Sequence, residues 1–238
     1  MGSENDRYIS MEKAKRIVGL KGNAFNDYLS ARVLLNQELL FQGAILANTA
    51  IEKEIKGYLE AIGIIVTIKH NSNKLYNLLH KHKPDVASKL NKEFIKELSR
   101  IYEARYTDSL PANFNFTIVR NKYLVELDYT YSILEPLFRY NRASEKKFGI
   151  TRYEDAINKK DSRLFLNNCV LKSTTKEALF SKPDAVYEFR IIFNHEIFEV
   201  SYIIPSIIDD GKFKFEAIKP LSNSSFRLSH KTEEPGYF

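Results

Sequence analysis

The chain has 238 residues, 44% of them hydrophobic and 28% charged, with 36 Lys and Arg against 30 Asp and Glu, a formal net charge of +6. That length suits one large or two small domains with a real core. No apolar run approaches the roughly 18 to 20 residues that span a bilayer, so no membrane partner is expected. The opening MGSENDRYIS carries acidic residues where a signal peptide needs a basic patch and an apolar segment, and the expectation is a cytoplasmic protein. Cys169 is the only cysteine, which excludes an internal disulfide, and it reads as a buried structural thiol. The basic surplus is spread over both halves, which is compatible with nucleic acid as a partner without requiring one.

Residues 1–22 form an N-terminal segment in which Ile9, Ala14, Ile17 and Val18 fit a helix only loosely. Phe25, Tyr28, Leu29, Arg32 and Leu35 then trace one face of a helix from about Asn23 to Leu39, with Asn23 as its N-cap. A second helix from about Leu40 to Ile62 places Ala44, Ala47, Ile51, Ile55, Tyr58, Leu59 and Ile62 on one stripe and ends at Gly63. A third carries Leu75, Leu78 and Leu79 and stops before Pro84. The fourth spaces Phe94, Leu98, Ile101, Tyr102 and Arg105 by three to four, and the fifth repeats Leu124, Leu127, Tyr131, Leu134 and Phe138, with Pro136 placed to bend its end. Helices of this kind joined by short loops bury their stripes as an antiparallel bundle over residues 23–145.

Beyond the charged stretch Asn141 to Gly149 the pattern changes, and residues 146–238 read as a small antiparallel β-rich domain with a polar tail. Tyr153 to Asn158 offers one or two helical turns, and Arg163 to Leu171 a strand. Tyr187, Phe189, Ile191 and Phe193 alternate with Glu188, Arg190 and Ile192, the two-residue period of a half-buried strand. Phe198, Val200, Tyr202 and Ile204 continue it after a turn at Asn194-His195-Glu196. Asp210-Gly211 signals a hairpin into residues 212–216, completing a three-stranded meander. The expected fold class is therefore α+β: an antiparallel bundle of about five helices followed by a β-rich unit.

Three motifs in order give the bundle a family resemblance. Ala50-Ile51-Glu52-Lys53-Glu54-Ile55-Lys56-Gly57-Tyr58-Leu59 is similar to the Ala-x-Glu-Lys-x-x-Lys core of the second helix of the HEPN family. Lys69-His70-Asn71-Ser72-Asn73-Lys74-Leu75 places a His shortly before a leucine-rich third helix, as that family does. Tyr102-Glu103-Ala104-Arg105-Tyr106-Thr107-Asp108 resembles its Arg-Tyr-Pro segment, with Thr107 in place of proline. The resemblance implies a bundle that forms homodimers through its helices and a toxin-antitoxin, defence or RNA-processing setting. In many members it also implies metal-independent RNA cleavage.

Nucleases of that family use Arg, four to six residues, then His near the start of the last bundle helix, the imidazole moving a proton while the guanidinium holds phosphate. Here that helix begins near Arg120 and continues Asn121-Lys122-Tyr123-Leu124-Val125-Glu126, without a histidine. The literal match from Arg190 to His195 falls in a strand, where positions five apart point to opposite faces. Catalytic candidates are thus limited to His70, Arg105, Arg120, Arg190 and His195, and ligand-binding candidates to Lys56, Lys69, His70, Arg105 and Tyr106. His70 reads as a cap of the third helix or a contact to the second. Glu52, Lys53 and Lys56 read as solvated surface, with Glu52 and Lys56 paired at four-residue spacing. Arg105, beside an apolar stripe, needs an acidic partner such as Glu52. Five scattered histidines, with His80 and His82 about 200° apart on a helix, form no metal site, and no cofactor is expected.

The favoured reading is a non-catalytic binding or scaffolding module for RNA or nucleotide. The strand-rich part then offers a second surface to a protein partner. The alternative is a divergent, toxin-like ribonuclease.

Overall fold

Ser10 opens the first helix by accepting the Lys13 amide on its hydroxyl at 3.3 Å, and no helix breaker follows for 26 residues. The computed structural model describes residues 9–68, 70–141, 148–191 and 197–207. Helix α1 runs Met11–Asn36, so the segment before Asn23 is continuous with the first helix and Asn23 is interior, not a cap. The looseness of its pattern has a specific cause. Lys21 occupies the buried stripe between Ile17 and Phe25, and a lysine there conceals the apolar period.

Helix α2 (Leu40–Ala61) is buried on almost every side, including Gly43, Ala44, Ala47 and Ala50. These small residues let α1 approach closely: a Cβ at Gly43 would meet Leu35 Cγ at 2.7 Å and the Leu35 backbone nitrogen at 3.1 Å. Asn71 caps α3 (Ser72–His82) through the Lys74 amide at 2.8 Å, and α4 (Pro84–Ala87) follows with Pro84 at its first position. Asn91 caps α5 (Lys92–Glu103), whose Phe94, Leu98, Ile101 and Tyr102 are buried.

Strand β1 (Asn115–Val119) follows, unheralded by the helical reading although Phe114, Phe116 and Ile118 alternate and are all buried. It runs directly into α6 (Arg120–Leu134), which ends in a short 3₁₀ turn at Glu135–Leu137 where Pro136 sits. A Thr151–Glu154 capping box starts α7 (Arg152–Asn158). Residues Ser162–Phe165 form helix α8, not the expected strand; Asp161 caps it and turns follow. Helix α9 (Lys176–Phe180) leads to β2 (Asp184–Ile191), and β3 (Ile197–Ile204) completes the described elements.

The sheet has order β1-β2-β3, antiparallel throughout, with Phe116 opposite Phe189 and Glu188 opposite Val200. Its central strand is buried on both faces, where the alternation implied one, because Glu188 is buried and held by Arg190 at 3.0 Å and the Tyr202 hydroxyl at 2.7 Å. The expected turn at 194–196 and the strand at 212–216 lie outside the described residues. One hydrophobic core runs from Ile17 through the bundle to Tyr153, Leu164, Tyr187 and Phe189. Among the described residues, no helix is long and apolar enough to cross a membrane.

The core also contains charge. Lys21 Nζ lies 4.0 Å from Glu54 Oε2 and 3.6 Å from Glu135 Oε1, donates to the Glu135 carbonyl, and sits 4.4 Å from the Phe138 ring. Glu54 accepts the Tyr131 hydroxyl at 3.0 Å on one oxygen, and the other has no hydrogen bond. Two carboxyls share one ammonium, and burial pushes the Glu54 carboxyl up to about 7 against the pull of Lys21. A carboxyl raised in the folded state binds its proton more tightly there than in the unfolded chain. Its contribution is complete below the unfolded value of 4.5 and is lost as pH rises through about 7. Urea unfolding between pH 5 and 8 should show stability falling by about 3 kcal/mol. E54Q should remove most of that slope, and parallel profiles for the two proteins would refute the assignment.

Candidate functional site

The surface where α2, α3 and α5 meet gathers most of the ligand-binding candidates. Glu52, on the α2 face toward α3, is 3% exposed, so it belongs to the interior and not to the solvated surface its sequence pattern suggests. Its Oε1 accepts the Lys56 ammonium, as the four-residue spacing predicts, and also the His70 backbone amide at 3.3 Å. Lys53 turns the other way and pairs with Asp27 at 2.5 Å.

His70 adopts φ 48°, a left-handed conformation that costs a non-glycine residue free energy, just before the Asn71 cap. It does not cap α3 itself, but it does contact α2. Its imidazole lies 5.4 Å from the Tyr102 ring at 19°, and Nδ1 is 3.0 Å from the Tyr102 hydroxyl and 3.7 Å from Glu52 Oε1. The side chain remains 65% exposed. Behind it, Ser72 donates to Asn48 Oδ1 at 2.6 Å, while Asn48 Nδ2 and Glu52 Oε2 are buried without a hydrogen-bond partner.

Arg105 follows the last turn of α5. Its Nε donates to the Tyr102 carbonyl at 3.2 Å, and its guanidinium carbon stands 3.5 Å from the Tyr102 ring centroid and 5.2 Å from that of Tyr106. The expected Arg105–Glu52 pair does not form, because Arg105 is exposed and needs no buried counter-charge. Among the described residues no carboxylate lies within 4 Å of it. Tyr106 is 65% exposed. Burial raises the Tyr102 hydroxyl above its ordinary value, with Arg105 opposing, so it is a neutral phenol near pH 7.

Four candidates, Lys56, His70, Arg105 and Tyr106, are therefore linked through Glu52 and Tyr102. Sequence reasoning placed Tyr102 in the core stripe and missed that its ring is the platform for both His70 and Arg105. The signal was its three-residue spacing from Arg105, which sets a guanidinium over an aromatic face. Lys69 lies outside the described residues.

The other candidates are elsewhere. Arg120 Nε contacts Asp184 at 3.1 Å, Nη1 contacts Glu38 at 2.9 Å and Nη2 donates to the Pro183 carbonyl at 3.2 Å. Asp184 also accepts the Asn121 amide at 3.0 Å, which caps α6 from a distant strand because Val119, at the cap position, has no side chain able to do so. Arg190 pairs with Glu188 in the sheet, and His195 lies outside the described residues. Cys169 is half-buried and less enclosed than its composition suggests. Among the described residues no three His, Cys, Asp or Glu side chains are grouped to hold a metal ion.

Asp184→Ala should lower the unfolding free energy by about 2 kcal/mol, since the α6 amide loses its acceptor and Arg120 its buried partner. Arg120→Ala should cost less, because Asp184 keeps the Asn121 and Ala185 amides. Denaturant titration of both variants decides this, and the reverse order would refute it.

No curated protein and no solved structure matches the chain. Residues 18–126 match the family model of the HEPN domain. That stretch holds the bundle from α1 into α6 with all three ordered motifs, so the resemblance of the N-terminal bundle to the HEPN family is borne out.

Proposed function

We propose that the chain is a non-catalytic binding module that seats RNA or a nucleotide on the Tyr102 platform, working as a homodimer through its helical bundle. One observation carries this reading. Arg105 is exposed and stands over the buried Tyr102 ring with no carboxylate within 4 Å among the described residues, an arrangement suited to a phosphate and a base stacked on the guanidinium. The adjacent exposed Tyr106 and the imidazole of His70 extend the stacking surface. Glu52 is neutralised by Lys56, which leaves the outward face positive.

The family's nuclease chemistry has no support at its usual place. Arg120 stands at the start of α6, but its guanidinium is occupied by Asp184, Glu38 and the Pro183 carbonyl. The positions where a histidine would follow hold Val125, Glu126 and Leu127. A second reading, a divergent ribonuclease, is favoured by one feature: His70 Nδ1 is held by the Tyr102 hydroxyl beside Glu52, which leaves Nε2 free to move a proton.

Fluorescence anisotropy with a labelled single-stranded RNA at low salt tests the first reading. Arg105→Ala should weaken binding about tenfold, or ~1.4 kcal/mol, without lowering thermal stability. Unchanged affinity would remove the proposal, and RNA cleavage abolished by His70→Ala would replace it with the second reading. Light scattering over a range of concentrations should give twice the chain mass of 27.6 kDa, and a monomer throughout would refute the dimer.

A further inference from the structure

An open cavity of about 550 Å³ lies between the last turn of α1 and residues 162–174, with Lys182 also in its lining. Its size falls within the roughly 300 to 1,000 Å³ of small-ligand sites. We propose that it binds a phosphorylated sugar, with its cations on the phosphate and its amides and hydroxyls on the sugar.

The wall is held by several directed bonds. Arg32, fully buried, donates from Nε to the Arg163 carbonyl at 3.3 Å and from Nη2 to the Leu166 carbonyl. Asn168, also fully buried, donates to the Leu164 carbonyl at 3.0 Å and accepts the Leu171 amide at 3.0 Å. Its backbone amide and carbonyl are both bonded to the Ser173 hydroxyl, at 2.8 and 2.6 Å. Lys160, Asn167 and Lys172 hold left-handed backbone conformations, with φ of 52°, 55° and 58°. Such conformations persist only where surrounding bonds over-determine them, and they concentrate at ligand sites. A braced, strained loop presents its side chains in a fixed arrangement and lowers the ordering cost of binding.

The chemistry of the lining selects the ligand. It holds two cations, Arg163 and Lys182, and no carboxylate among its described residues. Asp161 engages Nε and Nη2 of Arg163 and offsets part of its charge, Nη1 lies outside that pair, and Lys182 has no acidic group within 4 Å among the described residues. Asn36 and Asn167 bond to each other at 2.8 Å across the cavity wall, and Gln37, Ser162 and Thr174 add neutral polar groups. Phe165 and the half-exposed Leu166 supply an apolar floor that fits the C–H face of a pyranose or furanose better than a second charge.

One term opposes an anion here, the partial negative charge at the C-terminal end of α1. It is largely answered. The Val33, Leu34 and Leu35 carbonyls accept the Gln37, Glu38 and Leu39 amides at 2.9 to 3.1 Å, and the Glu38 carboxylate is paired with Arg120.

Isothermal titration of the full chain with glucose 6-phosphate and ribose 5-phosphate tests the site, with glucose, inorganic phosphate and adenosine monophosphate as comparators. At least one sugar phosphate should bind about tenfold more tightly than glucose or phosphate. The double variant Arg163→Ala, Lys182→Ala should lose that binding by a similar factor, while Arg105→Ala, at the Tyr102 platform, keeps it. Both cations are exposed, so circular dichroism should show the double variant folded. No sugar phosphate binding, or binding kept by the double variant, would overturn the proposal. So would tighter binding of adenosine monophosphate, and loss in Arg105→Ala alone would assign the ligand to the platform instead. Failure here leaves the RNA reading untouched, because that reading is decided by Arg105→Ala and this one by Arg163 and Lys182.

Discussion

Arg32 is the largest side chain with no exposed surface, and its ionised partner is equally buried. Removing two charges from water costs several kcal/mol per ion, and the attraction between them offsets this only when every remaining donor and lone pair is used. Here they are. Asp128 of α6 accepts Arg32 on one oxygen and the Tyr28 hydroxyl on the other at 2.8 Å, and the Tyr28 ring stacks on Tyr131 at 3.9 Å. The donors left over on Arg32 reach the Arg163 and Leu166 carbonyls. One guanidinium therefore joins the first and last bundle helices to a segment about 130 positions later in the chain. No hydrophobic replacement could supply the directed bonds to those two carbonyls. The packing of α8 and the residues just after it onto the bundle depends on that fork.

The same logic shows which parts of the fold were legible in the sequence. Helices α2, α5 and α6 declared themselves because each carries an apolar stripe at three-to-four spacing that stays continuous although polar residues such as Glu52, Glu54 and Asp128 are buried beside it. The start of α1 was hidden because its stripe includes Lys21, a residue that hydropathy assigns to water but that Glu54, Glu135 and Phe138 hold inside. Arg32 carries the same ambiguity, and its place on the apolar stripe was visible while its partners were not. Strand β1 was missed because its alternating Phe116 and Ile118 sit in a short link between two strong helices. Its pairing partner, β2, is some 70 residues distant. Helix α8 was read as a strand because a four-residue turn is too short for either period to show, and its Asp161 cap was the better signal.

The candidate site followed a similar division. The motifs that carry the family resemblance supplied His70, Lys56, Arg105 and Tyr106 as ligand-binding candidates, and the structure links these four through Glu52 and Tyr102. Their chemistry was not legible. Glu52 was expected to answer Arg105, whereas it is committed to Lys56 and the His70 amide, and Arg105 found an aromatic face in its place. A cation on a ring keeps its full charge for a ligand, while a carboxylate partner offsets part of it.

That distinction also separates the two arginines on which the functional reading turns. Arg120 occupies the start of the last bundle helix, and its side chain, 17% exposed, is committed to holding β2 against α6. To release it for a phosphate would leave Asp184, with no exposed surface, short of its cationic partner, although burial already raises that carboxyl above its usual range. Arg105 faces no such penalty, because its present partners are π-faces and one carbonyl, and a phosphate could add to them without displacing a charge. The architecture of this chain therefore uses the arginine at the helix start to assemble the sheet onto the bundle. It leaves the arginine beyond α5, Arg105, without a carboxylate partner within 4 Å among the described residues.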